Sequence, residues 1–361
     1  MAWALSGRKQ RIAPRARGSS AGAHGEIRGV GGSCYPRGFM PVTFQDILRA
    51  WPIVHRWVPR TPLYRYSLLS GRWGFDCFVK HENHLPIGAF KVRGGVNLFA
   101  SLSDAQRSRG VITATRGNHG LSLAWAARSF GSRAIIYVPK GNNPEKNAIM
   151  QTLGAEVVEH GRDFDDARAE AEARAKNEGL RYVHPANEPL LIAGVGTYAM
   201  EVAEDLPDVD AIFVPIGGGS LISGTVVALR TMRPDVKIYG VQAERADALA
   251  RSLEHGKLET IERADTFADG LATRYAFEIP FEILSRHKLD AIVRVSESEM
   301  QDAVKLALEG THNAAEGAAA AAYAAAYKMQ RELRGKKVVI VHSGHNIDRN
   351  TLRWALGLFD A

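Results

Sequence analysis

The chain has 361 residues, 45% apolar and 24% charged, enough for two compact domains with a substantial core and ordinary for a soluble globular protein. Its net charge of +7 sits almost wholly in residues 1–39, which hold seven Lys/Arg and one acid; the body is close to neutral, and nucleic-acid binding is excluded. The Ala-rich stretch 318–327 is too short to span a bilayer, so no membrane partner is expected. Cys34 and Cys77 form neither a disulfide framework nor a metal-ligand set, which suits a reducing cytoplasm.

Residues 1–39 are rich in Arg, Gly and Ser and lack the apolar centre of a secretory signal. They read as a disordered tail outside the fold, with an organelle-targeting peptide or a mis-assigned start, Met40 being the initiator, as the alternatives. From Met40 onward, β-rich runs alternate with helical stretches. The pattern predicts strand 75–82, helix 88–102, strand 111–115, helix 118–130, strand 134–138 and helix 145–153. Strand 156–159, helix 164–177, strand 181–184, helix 191–205, strand 211–215, helix 221–232 and strand 237–242 follow, then strand 337–342 and helix 349–359. This alternation implies an α/β fold with mainly parallel sheets. The unit 110–187 reads as a smaller domain, 40–109 with 188–361 as a larger one, and ligands in this class bind in a cleft between such layers.

Four segments carry chemistry. In Gly88-Ala89-Phe90-Lys91-Val92-Arg93-Gly94-Gly95, one lysine stands among apolar and glycine neighbours. Desolvation disfavours its ammonium form, and a neutral amine attacks carbonyls to form a Schiff base. Gly217-Gly218-Gly219-Ser220-Leu221 links a strand to a helix, where converging N–H groups and the helix dipole favour a phosphate. A tight packing turn is the competing reading. Thr115-Arg116-Gly117-Asn118-His119 occupies an equivalent junction, with backbone amides placed to hold a substrate carboxylate. There the alternative is a helix capped by Asn118 and an ordinary buried His119. Ser343 ends the last strand, able to reach a ring nitrogen or to serve as a turn residue.

Together these segments resemble the fold-type II pyridoxal-phosphate enzymes, in particular the serine/threonine dehydratase (threonine ammonia-lyase) family, over nearly all of residues 40–361. The resemblance implies a two-domain, tryptophan synthase β-like architecture with the cofactor, pyridoxal 5'-phosphate, in the cleft. By that resemblance Lys91 carries the cofactor, Phe90 lies beside its ring, Asn118 bonds its hydroxyl, residues 217–221 cradle its phosphate and Ser343 faces its ring nitrogen. Lys91 and Ser343 are then the catalytic pair, and residues 115–119 bind substrate. The segment 268–272 resembles the family's Ala-Asp-Gly-hydrophobic-Ala stretch, and Glu316, with Asn313 before it, resembles a pocket-floor helix start; an exposed first-turn acid is the competing account of Glu316.

Departures from the family pattern refine the expectation. Ala89 replaces the usual serine, and Arg116 stands where racemase relatives carry the serine that reprotonates the opposite face, so elimination is expected over racemisation. Gln242 stands where metal-dependent relatives place a glutamate, and no metal site is expected. His345 replaces a glycine and brings a titratable ring close to the cofactor. The expected activity is β-elimination from a 3-hydroxy amino acid such as L-threonine or L-serine, giving a 2-oxo acid and ammonia. Phenylserine or 3-hydroxyaspartate is the alternative substrate, with racemisation and β-replacement ranked below. Eighteen residues follow Ser343, too few for the effector module of biosynthetic threonine dehydratases, so a non-allosteric, cytoplasmic homodimer is expected. A sensor without turnover and a nicotinamide oxidoreductase are disfavoured, the latter because no G-x-G-x-x-G loop is present.

Overall fold

Helices cover both faces of the larger sheet, which is why its inner strands read in sequence as unbroken apolar runs. The computed structural model describes residues 41–358, and the leader expectations fall outside them. The strands are β1 (Leu63–Arg65), β2 (Asp76–His81), β3 (Val111–Ala114), β4 (Ala134–Val138), β5 (Glu156–Glu159), β6 (Arg181–Tyr182), β7 (Ala211–Pro215), β8 (Lys237–Ala243), β9 (Ala291–Val295) and β10 (Lys337–His342). The helices are α1 (Phe44–Trp57), α2 (Ser67–Trp73), α3 (Val92–Ala100), α4 (Asp104–Arg109), α5 (Asn118–Ser129), α6 (Pro144–Thr152) and α7 (Phe164–Glu178). They continue with α8 (Pro189–Asp205), α9 (Ser220–Met232), α10 (Ala248–His255), α11 (Glu278–Arg286), α12 (Glu297–Thr311), α13 (Gly317–Lys328) and α14 (Arg349–Ala355).

A six-stranded sheet runs β1-β2-β10-β7-β8-β9, parallel except that β1 pairs antiparallel with β2. A four-stranded, all-parallel sheet runs β5-β4-β3-β6, and its strands all come from within residues 111–182. Along β10, Val338 and Ile340 enter a core with the alanines of α13, while Val339 and Val341 enter another under α8 and α9. That is the two-residue alternation of a strand buried on both sides.

Several elements were not predicted. β9 and α10 to α12 lie between 243 and 316, where the apolar period is weak, and α1 carries Pro52 inside it, a residue that masks a helix in sequence. α13 has Gly317 to Ala326 all buried, so it has no polar face to mark a period. The helix expected over 88–102 begins only at Val92. Residues 88–90 instead run beside 343–345: Ala89 bridges Gly344, the Phe90 N–H donates to the Ser343 carbonyl at 3.0 Å, and the His345 N–H donates to the Gly88 carbonyl at 2.9 Å. Pairing with the tail of β10 thus replaces the first helical turn.

α3 is pinned from behind by an ionic cluster whose Arg93, Glu82, Glu201 and Lys80 side chains are wholly buried. Arg93 donates from Nε to Glu82 at 2.7 Å and from Nη1 to Glu201 at 2.6 Å, and its Nη2 reaches both carboxylates at 2.9 and 3.0 Å. Lys80 Nζ donates to Glu201 at 2.6 Å, and His55 Nε2 meets Glu201 at 2.8 Å. The cluster therefore ties β2, α3, α8 and α1 together. α3 and α8 meet closely at Gly194, where a Cβ would lie 2.5 Å from the Arg93 carbonyl oxygen. Removing one partner of such a cluster leaves buried charge uncompensated. Arg93→Met is therefore expected to lower unfolding free energy by about 3–5 kcal/mol in denaturant titration; a loss under about 1 kcal/mol would show the cluster to be energetically idle.

Candidate active site

A cavity of about 440 Å³ opens between the ends of the two sheets. Its walls include Phe90, Lys91, all of residues 115–119, the loop 217–221 and Ser343, so the catalytic, cofactor and substrate residues expected from the sequence line one space, while Asn313 and His345 do not.

Lys91 occupies the N-cap position of α3, immediately after the extended segment 88–90. Its Nζ donates to Ser220 Oγ at 2.8 Å and to the Pro185 carbonyl at 3.1 Å, and lies 5.2 Å from the Phe90 ring centre. Burial lowers its pKa from 10.5 to about 8, since no carboxylate offsets the lost hydration of the ammonium. At neutral pH a useful fraction is therefore the free amine.

Ser220 opens α9, directly after the triple glycine that follows β7. Gly219 caps that helix with φ +95°, a left-handed conformation. A Cβ on Gly217 would fall 1.9 Å from the Gly270 carbonyl oxygen, inside the segment 268–272 that the sequence also singled out. No side chain caps α9, whose amide groups and dipole face the cavity end where Ser220 and Leu221 sit. This is a cradle that side chains would fill, and it fits a phosphate dianion. With an amine on the same wall, the residues fit a phosphorylated aldehyde cofactor.

Across the cavity, the Thr115 hydroxyl accepts the Gly117 N–H at 3.0 Å and so shapes its own loop. Asn118 begins α5 and is fixed on both sides: its Nδ2 donates to Glu316 Oε1 at 2.7 Å, and Asn346 Nδ2 donates to its Oδ1 at 2.8 Å. Glu316 is not an exposed first-turn acid; it is the buried N-cap residue of α13, and desolvation raises its carboxyl pKa. His119 is buried with Nε2 near Thr113 Oγ1 at 3.0 Å and the Val183 carbonyl at 3.2 Å, and burial next to Lys91 pushes its pKa down to about 3, keeping it neutral. His345 is absent from the cavity wall; its ring instead covers Gly88, where a Cβ would lie 2.1 Å from Nε2. The Gln242 side chain serves backbone, donating to Ala246 and accepting from Ala250.

Two ion pairs that sequence reasoning missed span the cleft. Lys146 of α6 meets Asp269 at 3.1 Å, and Asp165 of α7 meets Arg274. Neither carries a local signal, because a charge on an amphipathic helix reads the same whether it faces solvent or a partner.

An α/β enzyme with an amine, a phosphate cradle and a carboxylate-sized loop around one cleft is thus defined. The chain belongs to the pyridoxal-phosphate dependent enzyme family, whose model matches residues 54–344. It is 41% identical over 311 residues to an L-threonine ammonia-lyase of Thermotoga maritima, covering 86% of this chain and 77% of that one. An L-threo-3-hydroxyaspartate ammonia-lyase of Saccharomyces cerevisiae is 35% identical over 306 residues, covering 85% and 94%. Among solved structures, the processed form of threonine deaminase isoform 2 from Solanum lycopersicum superposes with a TM-score of 0.83 at 32% identity, covering 88% and 92%. The fold is that of the fold-type II enzymes, and pyridoxal phosphate is the cofactor.

Gly217→Ala is expected to cost about 1–3 kcal/mol of stability through overpacking and to weaken cofactor retention on dialysis. Unchanged retention would remove the loop from the cofactor site. In enzyme stripped of cofactor, borohydride-fixed attachment of pyridoxal phosphate to Lys91 should rise with pH through a midpoint near 8, because the amine must shed its proton first. A midpoint at the 10.5 of a free lysine would contradict the desolvated setting.

Proposed function

We propose that the protein removes water and then ammonia from a 3-hydroxy amino acid such as L-threonine or L-serine, with Lys91 as the amine that holds the cofactor and then takes the Cα proton. The observation that carries this reading is the 2.8 Å approach of Lys91 Nζ to Ser220 Oγ, which puts the nucleophile and the phosphate cradle on one wall. The likeness to threonine and hydroxyaspartate ammonia-lyases supports the reaction class.

In this reading, residues 217–221 hold the phosphate through backbone N–H groups and the α9 dipole. Phe90, Asn118 and Ser343 line the same cavity and would hold the ring face, its hydroxyl and its nitrogen respectively. When bound, the cofactor supplies an electron sink for the carbanion left at Cα. Lys91, as a free amine on the cavity wall, would accept the Cα proton. The loop 115–119 holds the α-carboxylate through its backbone amides at the start of α5. The Cβ–O bond then breaks, the hydroxyl leaves as water, and the enamine tautomerises and hydrolyses to a 2-oxo acid and ammonium. Ser343 offers a neutral hydroxyl rather than a carboxylate to the ring nitrogen, which would favour elimination. The missing serine at position 116 favours elimination over racemisation.

The domain division belongs to the same proposal: residues 110–187 around the four-stranded sheet form the smaller unit, and 41–109 with 188–358 the larger. A cytoplasmic homodimer completes it. The buried free thiol of Cys77 suits a reducing compartment, and the exposed Tyr64 and Leu68 beside edge strand β1 offer apolar surface for a second copy. No helix among the described residues is long and apolar enough to cross a membrane.

Lys91→Ala should abolish both the visible absorption of the holoenzyme and 2-oxo acid formation from every 3-hydroxy amino acid. Turnover surviving that change would falsify the role of Lys91.

A further inference from the structure

The cations around the cavity are unevenly matched. Lys146 is neutralised by Asp269 at 3.1 Å and Arg274 by Asp165, while Lys91 is turned to Ser220. Arg263 also lines the cavity without a partner among the described residues, but it is exposed to water, and Arg116 is different. It is half-buried on the cavity wall, makes no hydrogen bond or ion pair with any described residue, and its Nε is sealed from solvent with no acceptor. A guanidinium presents five donors and no acceptor; with Nε sealed and unpaired, nothing in the protein engages the head, whose remaining donors are left to a ligand in the cavity. What completes a planar fork is a planar anion, which it takes with two parallel bonds.

The same loop already has a place for a first anion. Residues 117–118 start α5, a 12-residue helix; Thr115 Oγ1 takes the Gly117 and Gly120 N–H groups at 3.0 and 3.4 Å, and the Asn118 and His119 amides suit the α-carboxylate. The guanidinium is carried by the neighbouring residue and is thus left for a second negative group on the same ligand. A methyl or hydrogen at the far end of threonine or serine offers it nothing.

Resting on the ammonia-lyase reading above, we infer that Arg116 is a specificity-determining residue that pairs with a distal substrate carboxylate, and that 3-hydroxy amino acids bearing a second carboxylate are the preferred substrate class. The shortest member is 3-hydroxyaspartate. Its Cα–H and Cβ–O bonds break, water leaves, and the remaining enamine tautomerises and takes up water to release ammonia and a four-carbon 2-oxo dicarboxylic acid. No oxidant or reductant is needed.

The test compares kcat/KM of the holoenzyme for L-threo-3-hydroxyaspartate, L-threonine and L-serine in wild type, Arg116→Lys and Arg116→Met. The wild type should favour 3-hydroxyaspartate. Arg116→Met should lower kcat/KM for it by about 10- to 100-fold, the range of one lost charge-assisted pair, chiefly by raising KM. Arg116→Lys should recover part of that loss, and the preference over threonine should shrink or reverse in the Met variant. A wild type that favours threonine or serine, or a Met variant that loses all three substrates equally, overturns the assignment. A second measurement needs neither turnover nor a variant: succinate should perturb the visible spectrum of the wild-type holoenzyme at least 10-fold more tightly than butyrate, the monoanion of equal length. Equal affinities overturn the role of Arg116. If no 3-hydroxy amino acid yields a 2-oxo acid, the ammonia-lyase reading fails, and the succinate comparison still decides what Arg116 binds.

Discussion

The guanidinium of Arg93, held between Glu82 and Glu201 with Lys80 and His55 behind them, is the constraint on which the site depends. It sits two residues past Lys91 on α3 and fastens that helix to β2, α8 and α1 at once. Paired buried charges of this kind contribute little net stability compared with an apolar cluster, yet they tolerate only one arrangement of their partners. Directional bonds at 2.6 to 3.0 Å thereby hold the start of α3 in one register. The amine of Lys91 inherits that register.

Dehydration then sets the chemistry. The surroundings that hold Lys91 near a pKa of 8 also keep His119 neutral and raise Glu316, so burial suppresses charge at these three groups and leaves the Arg116 guanidinium as a lasting positive charge without a partner. Ser343, Asn118 and Ser220 line the same space as neutral hydrogen-bonding groups. Against this background the triple-glycine loop supplies positive potential without a cation, through amide dipoles at the head of α9.

Much of this was legible in the sequence because glycine marks close approaches. The turns at 115–119 and 217–221 stood out since each follows an apolar strand and precedes a helix, and the structure places both at one cavity. What the sequence hid has physical causes. Arg93, Glu201 and Lys80 read as ordinary surface charges, because nothing local reveals that three distant elements bury them together. α13 was obscured by its uniform alanines, and the true start of α3 by a backbone pairing between residues 88–90 and 343–345, far apart in the chain. Glu316 illustrates the same limit: an acid at a helix start looks exposed until Asn118 and Gly344 close over it.

The two bridges across the mouth, Lys146 to Asp269 and Arg274 to Asp165, join elements that flank the four-stranded sheet to the loop between α10 and α11. Asp269 is exposed and the Arg274–Asp165 pair is partly so, while the Lys146 side chain is only 6% exposed, which sets these contacts between weak surface pairs and the buried cluster around Arg93. They act as weak clasps on an otherwise rigid vessel. Dissolved electrolyte screens their exposed partners, so the grip of these clasps follows the ionic medium, while the furniture inside stays put.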